Sequence, residues 1–425
     1  MNEPLEIASF RPSVVDAGAS SGWRGSELFV DTAAIASSAA VEPGIATVEV
    51  EIVRPAERVR LLNVLDAVEP SIKAEDADAT FPGALGRLSV AGRGRTHRLD
   101  GIAVLPVADL RGAGYSEAGE LPDSVVDMAG PGAPLCAWAS TSNVVVRFEP
   151  DPGAPLADVD RSIRRVTLRV ARDLAGTTLE STAPLPDDLE HLVSPAGESA
   201  TPELPSLCVI LQVGAEGLLA DTFLYGASME GMVPTLLDPA EVLDGALTSG
   251  AYDWAGLRNP TAFYQRNRLV RELMAAHGKR LHFRGVIVAL GYLNSAFEKS
   301  RSAMLAAALA QRVGAEGAVL TTFSSGNSHT DTMLTARACA ELGIATTAIL
   351  AETNGGLTDH VSEADSIVSV GNEDELVPGW VPSRVIGGSR LVDGCAADDD
   401  SGLPSSSYLG ALSEMGDMAL TAVPA

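Results

Sequence analysis

The stretch GVIVALGYLNSAFEKSRSAMLAAALAQRVGAEGAVLTTF, Gly285 to Phe323, sets the rhythm from which the fold is read. Its opening, Gly285–Leu293, is an apolar run of strand length. A helical pattern follows from Phe297 to Val313 and stops at Gly314, a residue suited to a left-handed helix end. A second apolar run, Ala318–Phe323, comes next. The same rhythm extends both ways, with apolar runs at Leu207–Val213, Ala345–Leu350 and Ser366–Val370. Helical patterns at Phe263–His277 and Thr330–Leu342 end at Gly278 and Gly343. Strands alternating with helices predict βαβ units, hence a doubly wound parallel sheet of Rossmann-like type over residues 206–390.

The first 176 residues read differently. Short alternating runs such as VEVEIV (Val48–Val53) and NVVVRF (Asn143–Phe148), punctuated by Gly and Pro, predict a β-rich domain of antiparallel strands and turns. One amphipathic helix, Ala157–Leu174, places Ile163, Val166, Val170 and Leu174 on a single face. Residues 177–205, rich in Pro, Ser, Glu and Asp, read as a linker. Residues 391–425, opening with an acidic Gly/Ser-rich run, read as a disordered tail. The fold class expected is therefore α/β.

At 425 residues the chain can bury a large core, and its net charge of −26 argues against nucleic acid or an anionic membrane as a partner. The N-terminus is acidic without an apolar core, so no secretory signal is expected, and no apolar stretch is long enough to span a bilayer. Four cysteines (Cys136, Cys208, Cys339, Cys395) show no CxxC or zinc-like spacing. Apolar neighbours point to structural burial for Cys208 and Cys339. A cytoplasmic chain with reduced thiols is the expectation.

In an open parallel sheet, ligands bind at the C-terminal strand ends. The loops there contain Tyr292 and Asn294, then Ser324–Asp331, Glu352–Gly356 and Gly371-Asn372. The richest is SSGNSHTDTM: Gly326-Asn327 supplies a turn, Ser328 or Thr330 can cap the next helix, and His329 and Asp331 titrate. These two, as the candidate catalytic pair, have three readings. They bind a substrate carboxylate or amine near a helix N-terminus, or they ligate a metal, or Asp331 caps the helix while His329 hydrogen-bonds the loop. No third metal ligand is in view, so no metal is expected. Further substrate-binding candidates are Asn327, Glu352, and Arg95 and His97 in GRGRTHRL. There Arg93, Arg95 and Arg98 would grip a carboxylate, or else form a strand-edge salt-bridge cluster. Asp221 and Tyr225 in LLADTFLYG would hydrogen-bond a substrate, or Tyr225 belongs to the core.

Several segments carry a resemblance to a known family. They include IVRPAERVRLLNVLDAVEPSIK (Ile52–Lys73), TFPGALG (Thr80–Gly86), GRGRTHRLDGIAV (Gly92–Val104) and DMAGPGA (Asp127–Ala133). Later come GLLADTFLYG (Gly217–Gly226), DGALTSGAYDWAGLRNPTAFYQRNRLVRELMAAHGK (Asp244–Lys279) and GNSHTDTML (Gly326–Leu334). In this order, from about Val48 to about Gly388, the chain resembles the component B proprotein subunit of the glycine, sarcosine, betaine and D-proline reductases. In that family the Asp244–Lys279 segment carries the cysteine at which the chain cuts itself to form a pyruvoyl cofactor. Aligned on Ser249-Gly250 and Asn259–Thr261, the cysteine falls at Tyr252 or Gly256, and neither residue can serve as it does. Ser249 or Thr248 could in principle substitute through a hydroxyl, and no adjacent base is evident.

The resemblance implies a subunit of a reductase complex acting on a carbon–nitrogen or carbon–sulfur bond of a small amine or amino-acid derivative. It also implies a partner subunit bearing the thiol or selenol nucleophile. The missing cysteine implies that no pyruvoyl group forms. The alternative is a non-catalytic scaffold or regulatory paralogue that kept the fold and lost the chemistry.

Overall fold

A computed structural model describes residues 4–110, 124–195, 203–215, 222–250, 258–323, 326–352, 363–388, 402–415 and 421–423. It is a mixed α/β protein. In the first half, β1 (Leu5–Phe10), β2 (Ile45–Val53), β3 (Gly94–Leu99), β4 (Ile102–Ala108) and β5 (Ser142–Pro150) build two sheets, and α1 (Leu156–Gly176) packs between them. The two alternating runs seen in the sequence pair with each other, Val50 opposite Val146 in antiparallel β2–β5. Val144, Val146 and Phe148 bury one face of β5 with Ile163, Val166, Val170 and Leu174 of α1. Val145 faces the other way and joins the main core with Leu105 and Val107.

Not all these strands are antiparallel, as the sequence had suggested. β4–β5 and β1–β3 are parallel pairs. Every residue of β4 is buried, and parallel pairing suits strands covered on both faces. The expected linker also holds a strand, β6 (Asp188–Leu192), which extends β1 as an antiparallel edge. Its side chains are mostly exposed, so backbone hydrogen bonds rather than an apolar pattern place it.

The second half contributes β7 (Ser206–Val213), α2 (Thr261–Arg266), α3 (Arg268–Ala276), β8 (His282–Leu290), α4 (Ala296–Arg312), β9 (Gly317–Thr321), α5 (Asn327–Glu341), β10 (Ala345–Glu352) and β11 (Ser366–Asn372). A seven-stranded sheet runs in the order Thr235–Leu237, β8, β7, β9, β10, β11, Thr421–Val423. Its five inner strands are parallel and its two edge strands antiparallel. From central β7 the chain passes to β8 on one side, then crosses back to β9 on the other. The helices α4 and α5 cover one face, where alanines (Ala303, Ala306, Ala307, Ala310, Ala336) meet Cys208, Ile210 and Ile287. On the opposite face Val209, Leu211 and Val286 join α2, α3 and the first half in one core. Gly278, Gly314 and Gly343 are all left-handed, as the helix stops require.

Two further expectations change. The helix read as Phe263–His277 is broken at Asn267, whose side chain leaves the helix to accept the Val270 N–H and start α3. Part of the supposed tail is core: Tyr408, Leu409, Leu412 and Met415 are buried. The acidic run before Leu403 had masked the apolar stretch behind it. Cys208 and Cys339 are buried, and burial pushes both thiols up to about 12. No helix among the described residues is long and apolar enough to cross a membrane.

Arg60 and Asp127 form an ion pair at 2.8 Å, 1% and 0% exposed, and Trp380 Nε1 donates to the same carboxylate at 2.7 Å. Asp127→Ala removes the carboxylate partner of this buried guanidinium. We expect a loss of about 3–5 kcal/mol in unfolding free energy, measured by urea titration. A loss under about 1 kcal/mol would show that the pair does not anchor this junction.

Candidate functional site

Past the end of β8 the chain turns through Tyr292, held at φ 60°, a conformation strained for a tyrosine. The next peptide, at Leu293, is gripped from both sides. Asp331 Oδ2 accepts the Leu293 N–H at 3.1 Å, and Asn327 Nδ2 donates to the Leu293 carbonyl at 3.0 Å. Lys299 Nζ donates to Asp331 Oδ1 at 2.7 Å and reaches the Asn327 carbonyl at 3.4 Å. The first turn of α5 and the first turn of α4 thus hold one loop in a strained shape. That loop lines a cavity of about 340 Å³ at the ends of β7 and β8, with Ala215, Met232, Leu290, Leu293, Asn294 and Arg301 on its walls. Its size suits a small ligand.

Asp331 therefore shapes the cavity wall from behind. Burial raises its carboxyl above the usual range, while Lys299 and the Leu293 N–H draw it back. It does not cap the helix: the cap of α5 is Gly326, with no side-chain cap hydrogen bond, so neither Ser328 nor Thr330 fills that role. His329 is 3% exposed on the same first turn. Among the described residues no group of three or more metal-ligating side chains occurs. Glu352 ends β10 half-buried, its carbonyl accepting the Glu373 N–H at 2.9 Å.

The other candidates lie elsewhere. The arginine cluster is split by the alternation of β3, because neighbouring residues face opposite sides of a strand. Arg95 is outward, paired with Glu6 at 2.7 Å, whereas Arg98 is buried against Glu69 at 3.1 Å. They cannot grip one carboxylate together. His97 Nδ1 meets Thr178 Oγ1 at 2.9 Å and its ring packs on Phe10; burial lowers its pKa. Tyr225, also left-handed at φ 48°, donates its hydroxyl to Glu241 and accepts the Ala91 N–H at 3.2 Å. Asp221, Tyr252 and Gly256 lie outside the described residues.

Sequence reasoning missed a buried network around Asp66. Asp66 accepts the Thr261 N–H at 2.8 Å and the Thr261 hydroxyl at 2.7 Å. Thr261 Oγ1 in turn accepts the Ser249 N–H at 2.9 Å. Arg258 donates to the carbonyls of Val64 and Leu65. One carboxyl group from the first half so ties Ser249 to Thr261. Burial pushes Asp66 up to about 7. Its position in LLNVLDAVEP and that of Thr261 in NPT were visible, but nothing local showed that they meet.

Comparison with known proteins places this geometry in context. Residues 4–409 match the family described as glycine/sarcosine/betaine reductase component B subunits. The chain is 30% identical to glycine reductase complex component B subunits alpha and beta of Acetoanaerobium sticklandii, covering 98% of this chain and 99% of that protein. It is 30% identical to the sarcosine reductase complex component B subunit alpha of Peptoclostridium acidaminophilum, over 88% of each chain. The betaine reductase counterpart from the same organism is 29% identical, over 92% and 94% of the two chains. No solved structure matches.

Two measurements probe these arrangements. Asp331→Ala strands the Lys299 ammonium, 12% exposed, and frees the Leu293 peptide. Stability should fall by about 3–5 kcal/mol, and the Leu293 amide should exchange hydrogen faster than in the parent; unchanged exchange would refute the clamp. For Asp66 the folded state keeps its proton up to about 7, whereas the unfolded chain releases it near 3.8, the ordinary aspartate value. Between those limits the folded state binds more protons, so stability falls as pH rises, by up to about 1.4 kcal/mol per unit. Asp66→Asn should flatten that slope in melting curves taken from pH 4 to 7.

Proposed function

We propose a function from one plain premise: this chain belongs to the glycine/sarcosine/betaine reductase component B family. We infer that it is the substrate-handling subunit of a reductase complex. It acts on the carbon–nitrogen or carbon–sulfur bond of a small amine or amino-acid derivative, with the thiol or selenol nucleophile on a partner subunit. The observation that carries this reading is the near-full-length match to component B subunits in a chain whose described cysteines are all unreactive. Cys136, Cys208 and Cys339 are buried, and burial raises each thiol far above the range in which a thiolate forms.

The residues present do not fit a pyruvoyl group. Tyr and Gly stand at positions 252 and 256, where the cleavage cysteine aligns. Thr248 and Ser249 lie buried in a short strand paired with Thr222–Leu224, a place for backbone pairing rather than an exposed nucleophile. No step is therefore routed through a ketone. The chain's own part is to bind and orient substrate at the strand ends, where the clamped Leu293 loop walls the cavity and His329 and Asn327 sit on the adjoining helix turn. The strand order, with β7 flanked by β8 and β9, supports reading residues 206–390 as a Rossmann-like unit with its crevice at that reversal. Unpaired cysteines among the described residues support a reducing, cytoplasmic setting.

Purification of the tagged chain from its native cells under reducing conditions tests this. The expected outcome is one species at the mass of all 425 residues, unreactive to a carbonyl-trapping hydrazine. A thiol- or selenol-bearing subunit should accompany it, and the pair should consume a small amine that neither consumes alone. Two fragments breaking near Ser249, one of them trapped, would restore the pyruvoyl mechanism. A chain that recruits a partner yet adds nothing to turnover would be a scaffold.

A further inference from the structure

Glu414 stands out among the buried polar groups of the described residues. It is 2% exposed, and neither carboxyl oxygen completes a hydrogen bond. Its segment is pinned on both sides: Ser413 Oγ donates to Asn259 Oδ1 at 3.0 Å, and the Leu269 N–H reaches the Met415 carbonyl at 3.4 Å. The carboxyl is thereby lodged over the C-terminal ends of β9 and β10, facing the backbone N–H groups of Thr322 and Ala351 without ordinary hydrogen-bond geometry to either.

The surroundings are polar and incomplete as well. Thr322 Oγ1 lies 3.0 Å from Thr332 Oγ1, which donates to the Ser328 carbonyl at 3.1 Å. Ser328 Oγ itself, on a residue 0% exposed, has no hydrogen-bond partner. Ser328 belongs to the first turn of α5, a 15-residue helix whose N-terminus lacks a side-chain cap. A buried carboxyl and a buried hydroxyl left unsatisfied each cost free energy that a bound ligand would recover. Two N–H groups already face the Glu414 carboxyl, and no charge of a described residue acts on it, so the missing complement is a cation. Among the described residues there is no cluster of ligands to hold a metal there.

We propose that Glu414 is the counter-ion for the positively charged nitrogen of a small amine bound at the ends of β9 and β10. The first turn of α5, linked to Thr322 through Thr332, would take the anionic end of that ligand, with Ser328 Oγ as a donor. The choice of ligand rests on the reading of this chain as an amine-handling reductase subunit; the site itself rests on the geometry. Burial raises the empty carboxyl well above the usual range, which favours its protonated form before binding. Binding then exchanges one proton for one cation: the Glu414 carboxyl releases H+ to solvent and the carboxylate pairs with the ligand nitrogen.

Titration calorimetry on the full chain decides the matter, with glycine, trimethylglycine and tetramethylammonium chloride as probes and sodium chloride as the ionic-strength control. We expect saturable binding that releases about one proton, read from two buffers of different ionisation enthalpy. Affinity should rise about tenfold per pH unit through the acid range. Glu414→Gln, an uncharged isostere of the protonated acid, should melt like the parent, bind about a hundredfold more weakly and release no proton. Ser328→Ala should weaken glycine by about five- to tenfold while sparing tetramethylammonium. Unchanged affinity in Glu414→Gln, binding without proton release, or no binding of any probe would each overturn the proposal. Amine binding that depends on Glu414 in a chain that recruits no partner would retire the reductase-subunit reading and leave this site standing.

Discussion

Burial of charge along Val59–Lys73 is the constraint on which the rest of the structure depends. Every residue of this strip is buried, including Arg60, Asp66, Glu69 and Lys73. Each is answered by a different part of the chain: Arg60 by Asp127, Asp66 by Thr261, Glu69 by Arg98 and Arg266, and Lys73 by Asp244. A buried ion or polar group without its partner is costly, so any arrangement that separates these partners is penalised. Apolar burial supplies the driving force, with Leu61, Val64 and Ala67 inside the core shared by both halves. The charged pairs select which packing of that core is allowed.

Functional geometry follows from this lock. Asp244 is the clearest case, since it also accepts from Thr96 Oγ1 at 2.6 Å and the Gly92 N–H at 2.7 Å. It fixes the start of the Leu247–Ser249 strand against the first half, and Asp66 then fixes the far side of the same segment at Thr261. The parallel sheet behind it provides a rigid row of strand ends. Small residues on α4 let that helix sit close to the sheet, which brings Lys299 within reach of Asp331 and so shapes the Leu293 loop. Close approach matters elsewhere too: a side chain at Gly83 would strike the Tyr225 carbonyl, joining TFPGALG to GLLADTFLYG.

Much of this was legible. The five parallel strands β7–β11 and the helices α4 and α5 fall within a few residues of their expected bounds, because fully buried apolar runs and glycine stops are strong local signals, whereas the edge strand Thr235–Leu237 was not read. The loop around Asn327 and Asp331 was singled out correctly as a place where strand ends and a helix start meet. Its chemistry was not, because Asp331 turns to a lysine and an amide on another loop. The arginines of GRGRTHRL looked like one cluster in the sequence, but strand alternation sends Arg95 and Arg98 to opposite faces. Strand Asp188–Leu192 and core residue Glu414 went unseen for opposite reasons. The former lacks an apolar pattern because it is an edge, and the latter lies behind an acidic run that suggested no structure at all.

The sequence by itself determined the family and the alternating strands and helices of the second half. These are encoded locally, in residue type and spacing. Only the tertiary structure decided which charges are partners, which loop is strained and which carboxyl is left without a complement. Those outcomes depend on groups as far apart in the chain as Asp66 and Thr261, or Asn259 and Ser413, meeting in a low-dielectric interior where pairing is decisive.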